Sequence, residues 1–292
     1  MTHRVGVDVS LAELIAMRGL RHTPRAGENR PRTDGQSVNT AVSRGLDVAE
    51  VRRYQPGDEV RAIDWKVTAR RGQTHVKVFE DERARAVYLM VDLRRALRFG
   101  TRTCFKSVLA ARLAAGLGWR AWQAGDRVGA WILTDNHVQR LADVAQESGV
   151  RRLCHALVAR HAAAPEAETQ TLADSLRGIG RGVASKADWH VISDFADGEP
   201  VLPPRVSVTC WHLVDPLDSA LPTRSAWVRD SRGQRRLAVT RRARQQHADR
   251  HAAQVAALES ACARPSHRYA QVSTVDGDPQ ALRRLLATGR GT

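Results

Sequence analysis

Residues 86–91 (AVYLMV) form a continuous apolar run, and three further stretches rich in apolar residues, 127–133 (RVGAWIL), 189–193 (WHVIS) and 206–214, read as strands. A strand covered on both faces reads as such a run, whereas a half-solvated strand alternates. Three of the runs stop at an aspartate: Asp92, Asp194 and Asp215. Between them the spacing turns helical. Residues 106–124 carry Leu109, Leu113, Leu117 and Trp122, and 148–161 and 172–178 read likewise. Gly125-Asp126 supplies a turn, and a strand at 269–273 with a helix at 279–286 closes the chain. Strands alternating with helices predict an α/β fold over 87–292, a mostly parallel sheet with helices on both faces.

The first third of the chain is patterned differently. Leu11, Leu14, Ile15 and Met17 behind Ser10 predict a short amphipathic helix within 9–20. Residues 21–44, with Pro24, Gly27, Pro31 and Gly35, read as a polar arm, so 1–44 forms one expected segment. Residues 45–86 form a second, β-rich one, with an alternating strand at 75–79 (HVKVF) and a turn at Gln55-Pro56-Gly57-Asp58. No stretch approaches the ~18 apolar residues of a membrane span. The N-terminus carries Asp8 and Glu13 where a signal peptide would be apolar, so a cytoplasmic location is expected.

Cys104, Cys154, Cys210 and Cys262 are far apart, without a CxxC pair, and read as small buried hydrophobes rather than a disulfide framework or zinc site. Charge adds one asymmetry. The 292 residues hold 46 Lys+Arg against 31 Asp+Glu, a net of +15, and residues 216–292 account for +8 of it. Of the cations, all but Lys66, Lys77, Lys106 and Lys186 are arginine, a bias that a GC-rich genome also produces. The C-terminal quarter is the electropositive end.

Residues 54–70 read YQPGDEVRAIDWKVTAR. With Arg52 in front, this closely resembles the signature of the domain-of-unknown-function 58 family (DUF58), R-x-Y-x-P-G-D-x-x-R-x-I-x-W-x-x-(S/T)-A-R. The matching positions are Arg52, Tyr54, Pro56, Gly57, Asp58, Arg61, Ile63, Trp65, Thr68, Ala69 and Arg70. The likeness continues through Asp92, Lys106, Gly125-Asp126-Arg127-Val128-Gly129, Ser193-Asp194-Phe195 and Asp215-Pro216, over about residues 45–290. It implies a von Willebrand factor A-like domain behind a β-rich segment, serving a MoxR-type AAA+ ATPase as adaptor or chaperone partner. Many members carry membrane spans ahead of the signature; this sequence shows none.

In an open α/β sheet, ligands bind beyond the carboxyl ends of the strands, where the topology switches. The resemblance places a metal-ion-dependent adhesion site there, reading D-x-S-x-S after the first strand, with a loop threonine and a later aspartate. Here the first motif reads Asp92-Leu93-Arg94-Arg95-Ala96, so both serines are missing. Thr171 matches the threonine and Asp194 the aspartate. Magnesium wants about six hard oxygens, and Arg94 brings a cation instead. A degenerate site is therefore expected at Asp92, Arg94, Ala96, Thr171 and Asp194, with no metal or other cofactor. Arg94 folds over Asp92 or Asp194 in the metal's stead; were Mg²⁺ bound, Asp92, Thr171 and Asp194 would hold it.

Two readings stand for the signature itself. In one, Asp58 and Arg61 pair locally, Asp64 braces the turn and Trp65 anchors in the core. In the other, Tyr54, Trp65 and Arg70 are exposed anchors for a partner, as Tyr, Trp and Arg dominate interface hot spots. Other motifs are weaker. Gly178-Ile-Gly-Arg-Gly182 precedes a strand and reads as a loop. No P-loop and no GxSxG elbow occurs. His247 and His251, four apart on a helix, suit a solvated face better than a metal, since no third ligand is apparent. The cluster Arg232, Arg235, Arg236, Arg241, Arg242, Arg244 and Arg250 lacks the interleaved aromatics that stack bases. The expected function is a non-catalytic protein-interaction module. Nucleic-acid or polyanion binding through the arginines, with its steep salt dependence, and metal-dependent hydrolysis are the alternatives.

Overall fold

Ser10 caps the first helix, α1 (Leu11–Ala16), its hydroxyl accepting from the Glu13 amide at 3.2 Å. That satisfies one of the free N–H groups with which every helix opens. The computed structural model describes residues 4–19, 48–53, 63, 65–79, 85–164, 167, 169–178, 187–198, 200–204, 206–223, 226–230, 233–237 and 239–288. A six-residue helix does not persist alone in water, and α1 holds because Leu14 and Met17 are fully buried. The Trp119 indole donates to the Leu14 carbonyl at 2.9 Å, and Arg112 pairs with Glu13. The helix therefore belongs to a large unit with residues 85 onward rather than to a segment ending at residue 44. Trp119→Phe, which keeps the ring but leaves the Leu14 carbonyl unpaired, is expected to cost about 1–2 kcal/mol. A denaturant titration with unchanged slope would show it.

Residues 24–84 form a unit of their own. In it β1 (Val48–Arg53) pairs antiparallel with β2 (His75–Phe79), from Val48 opposite Phe79 to Arg53 opposite His75. The β-rich reading is incomplete, because a helix, α2 (Trp65–Arg71), lies between the strands. Its first residue, Trp65, is 67% exposed, so it is not the core anchor that one reading expected.

The large unit is built on one six-stranded sheet. In chain order follow β3 (Ala86–Asp92), α3 (Lys106–Gln123), β4 (Arg127–Leu133), β5 (Val138–Val144), α4 (Glu147–Ala162), α5 (Leu172–Gly178) and β6 (Asp188–Ser193). Then come β7 (Ser207–Val214), α6 (Pro216–Ser219), β8 (Ala226–Asp230), β9 (Gly233–Leu237), α7 (Arg241–Ala261), β10 (His267–Ser273) and α8 (Pro279–Thr288). The strand order is β10-β7-β6-β3-β4-β5, with β8 and β9 forming a separate antiparallel hairpin. Five strands of the sheet run parallel, and β5 returns antiparallel to β4 at the edge. The loop from Leu133 to Val138 is too short for a crossover, so only a hairpin can close it.

Successive residues of β3 serve opposite faces. Leu89 and Val91 join the layer containing α1, α3, α4 and α8, while Met90 joins the layer with α5 and α7. Burial on both faces is the reason the strand sequences read as apolar runs rather than as alternation. Gly125, at φ +84°, ends α3 in the left-handed conformation that glycine adopts without steric cost. No helix among the described residues is long and apolar enough to cross a membrane.

Candidate functional site

The strand order reverses between β3 and β6, which leave the sheet side by side with Val91 opposite Ile192. Asp92 and Ser193 therefore meet at the carboxyl ends of the two central strands. Asp92 is fully buried, and both its oxygens are taken. Arg94 grips it with a two-pronged fork, Nε to Oδ1 at 3.0 Å and Nη2 to Oδ2 at 2.7 Å. The Arg94 amide adds a bond to Oδ1 at 3.1 Å, and the Ser193 hydroxyl donates to Oδ2 at 2.7 Å.

The third prong of the guanidinium, Nη1, reaches Asp197 at 2.5 Å and the Gln170 carbonyl at 3.3 Å. Only 1% of Arg94 is exposed. Burial by itself pulls the guanidinium's pKa down, but the bonds and charges of Asp92 and then Asp197 outweigh it and hold the cation firmly protonated. Planar forks onto carboxylate are the geometry for which arginine is suited and lysine is not.

The turn after β6 sends two carboxylates in different directions. Phe195 is buried at φ 53°, the left-handed region that a non-glycine residue enters only at a cost. Its amide donates to the Ser193 hydroxyl at 3.1 Å, which holds the turn. As a result Asp194 does not meet Arg94, as the sequence allowed, but faces Lys106 at 3.4 Å, while Asp197 takes the guanidinium. Lys106 also pairs with Asp218 at 2.8 Å. Burial raises the Asp194 pKa, Lys106 opposes that rise and Asp92 adds to it.

Thr171 does not supply a hydroxyl to this centre. It donates to Asp174 at 2.6 Å and accepts from the Asp174 amide at 3.1 Å, capping α5. Its loop reaches the site through backbone instead, by the Gln170 carbonyl and by the Leu172 amide, which donates to Asp197 at 2.8 Å. Ala96 lies exposed on a 3-10 turn, Arg95–Leu97. The donor set does not fit a divalent cation: a guanidinium stands against both Asp92 oxygens, and the threonine is turned away. No cluster of three or more His, Cys, Asp or Glu among the described residues has the geometry of a metal site.

Tyr54, Pro56, Gly57, Asp58, Arg61 and Asp64 lie outside the described residues, as do most of the 178–182 loop and Arg232. Trp65 and Arg70 are both exposed on α2. Arg241, Arg242 and Arg250 are exposed on α7, whereas Arg244 is tied to the Thr223 carbonyl. His247 and His251 are not on a solvated face. His247 donates through Nε2 to the Leu217 carbonyl on α6 at 2.8 Å, and the His251 ring stands 6.1 Å from that of His212.

Sequence reasoning did not assign Asp197, Ser193 and Lys106 their places in the centre. Lys106 left a faint signal, as one of four lysines in an arginine-dominated chain and the opening residue of a helix rich in apolar residues. Asp197, three residues past Asp194, left none.

A family model described as protein of unknown function DUF58 matches residues 50–259. The chain belongs to the DUF58 family. Among curated relatives, the uncharacterized proteins Rv1480 of Mycobacterium tuberculosis and Mb1516 of Mycobacterium bovis are each 30% identical over 197 residues. Those matches cover 64% of this DUF58 chain and 61% of each relative, so the chain spans less than two thirds of their length. The uncharacterized protein YeaD of Bacillus subtilis is 50% identical over 44 residues, which is 15% of this chain and 11% of that one. Among solved structures, BatB from Bacteroides thetaiotaomicron aligns at TM-score 0.39 with 11% identity, covering 70% of this chain and 98% of its own. An aerotolerance-related membrane protein from Bacteroides fragilis aligns at TM-score 0.36 with 12% identity, covering 69% and 98%.

Proposed function

We propose that this DUF58 chain is a non-catalytic interaction module on a von Willebrand factor A-like sheet, docking a MoxR-type AAA+ ATPase or the client of that ATPase. The observation that carries the reading is the closed charge network at the sheet's switch point. In an adhesion-type site a metal ion with an open coordination position captures an acidic group of the partner. Here a guanidinium fills that place and is satisfied internally by Asp92, Asp197 and Gln170. The centre thus braces β3, β6 and the 170–172 loop rather than reaching outward. Strand order supports the von Willebrand A-like assignment: numbered within the sheet it runs 3-2-1-4-5-6, with strand 3 the antiparallel edge.

Contact with the partner then falls to another surface, and the exposed Trp65 and Arg70 of the signature helix are suited to it. A large ring held in solvent gains most from burial in a partner's pocket. Co-purification with the MoxR-type ATPase, with and without ATP, tests this. Association at micromolar concentration is expected, and Trp65→Ala is expected to weaken it by about 2 kcal/mol, roughly thirtyfold. No association in either nucleotide state, or binding untouched by Trp65→Ala, would sink the reading.

A further inference from the structure

Beyond the carboxyl ends of β6 and β7 lies a cavity of about 450 Å³ that the Asp92–Arg94 network leaves unused. Small-molecule sites fall in the range of about 300–1,000 Å³ and combine apolar walls with a few convergent polar groups. Phe195, Pro200 and Leu258 supply apolar wall here. The polar groups arrive from four separate elements: Lys106 opens α3, His212 sits on β7, Asp218 on α6, and Arg250 and His251 on α7.

The uncommitted hydrogen-bonding capacity in this cavity is mostly donor capacity. Lys106 carries three protons, and Asp194 and Asp218 take two. Arg250 uses Nε on the Gln246 carbonyl, and its two terminal nitrogens bond no other described residue. His212 is committed, to Tyr269 through Nδ1 at 2.9 Å and to the backbone of Asp194. His251 makes no hydrogen bond to another described residue. Among the described residues that line the cavity, both carboxylates, Asp194 and Asp218, are already paired with Lys106, and no carboxylate is paired with Arg250. The left-handed Phe195 belongs to the rim of this same cavity. Backbone strain of that kind survives where the surroundings hold it, as at ligand clamps.

We propose that this cavity binds a small organic anion, a carboxylate or phosphate monoester carrying an apolar body. The anionic oxygens take the fork of Arg250, His251 and the third proton of Lys106; the body lies against Phe195, Pro200 and Leu258. The proposal does not depend on the docking reading above.

Protonation strengthens the site. Burial lowers the His251 pKa, Asp218 opposes that, and His247 and Lys106 reinforce it. Burial likewise brings His212 down to about 4, with His251 and Lys106 adding to the effect. Asp194, from the turn after β6, and Arg250 complete the charged groups facing His251. A bound anion favours the charged ring, so binding takes up a proton and tightens as pH falls.

The test is thermal melting and calorimetric titration of the full chain with benzoate, phenyl phosphate and, as neutral counterpart, benzyl alcohol. At least one anion is expected to raise the melting temperature at about 10 mM while benzyl alcohol does not; the stronger anion separates carboxylate from phosphate. Arg250→Gln, an exposed position whose change spares the fold, is expected to weaken binding about tenfold. Benzoate keeps its charge between about pH 6 and about pH 8, and its affinity is expected to rise toward the lower value in the parent but not in His251→Gln. Stabilisation by neither anion, equal stabilisation by benzyl alcohol, or undiminished binding by Arg250→Gln would each overturn the proposal.

Discussion

Arg94→Ala is expected to cost about 3–5 kcal/mol, the loss that follows when one partner of a buried ion pair is removed. Asp92 would be left fully buried with only Ser193 and one amide on its oxygens, and Asp197 would lose its cation. In a unit of this size the melting temperature should fall by roughly 10 °C. Two further variants separate lost charge from lost packing. Asp92→Asn in the Arg94→Ala background removes the unpaired charge and should recover part of the loss. Arg94→Lys keeps a cation but cannot form the fork, so it should fall between parent and alanine variant. A melt of Arg94→Ala within about 1 kcal/mol of the parent would mean that the fork does not brace the strand ends.

The same site carries the metal question. Arg94→Ser with Ala96→Ser removes the guanidinium and restores the two serines of the adhesion-site motif after Asp92. With a dissociation constant near the millimolar end for oxygen ligands, ~5 mM Mg²⁺ should then stabilise the variant by about 1 kcal/mol. The parent should not respond. A parent that melts higher with Mg²⁺ would show that Arg94 leaves room for the ion after all.

Asp215→Ala should be almost as damaging, at about 3 kcal/mol, because it strands four donors at once, that of the fully buried Thr274 among them. One carboxylate accepts from the Thr101 amide at 2.9 Å, the Thr101 hydroxyl at 2.7 Å, the Thr274 hydroxyl at 2.6 Å and the Leu217 amide at 3.0 Å. It thereby pins the loop before α3, the start of α6 and the end of β10 to the end of β7. Burial acts to raise its pKa, but the bonds from Thr274, Leu217 and Thr101 prevail and hold it below the ordinary carboxylate value. A depressed folded-state pKa gives stability that is present above the unfolded value of about 4 and is lost as pH falls through the folded one. Stability should therefore drop in that acid window, and Asp215→Asn should flatten the drop. An unchanged acid limb in Asp215→Asn would assign it to other carboxylates.

The centre was partly legible before the fold. Arg94 stands two residues from Asp92, so a local contact between them was open to inspection in the chain itself. Its second partner was not. Asp194 matched the expected position, yet the left-handed turn at Phe195 turns it toward Lys106 and brings Asp197 to Arg94 instead. Nothing in a tripeptide Ser193-Asp194-Phe195 announces a positive φ at a phenylalanine. Thr171 was misjudged for a related reason: a threonine three residues before an aspartate is also a helix cap, and the local bond to Asp174 prevails over a distant one. Edge strand β5 was missed because Gln139, Arg140 and Asp143 interrupt its apolar residues, as an edge allows.

The chain alone determined the core strands β3, β4, β6 and β7 and the helix α3. Their apolar runs have no stable place except between two covered layers, and that demand is written residue by residue. Only the tertiary structure decided which charges meet. Lys106 and Asp194 are 88 residues apart, Arg94 and Asp197 103, and Trp119 reaches back 105 to the helix at Leu14. Such pairings have no local pattern, because any carboxylate satisfies any cation until packing brings a particular two together. The burial that makes an unpaired charge so costly also fixes the choice.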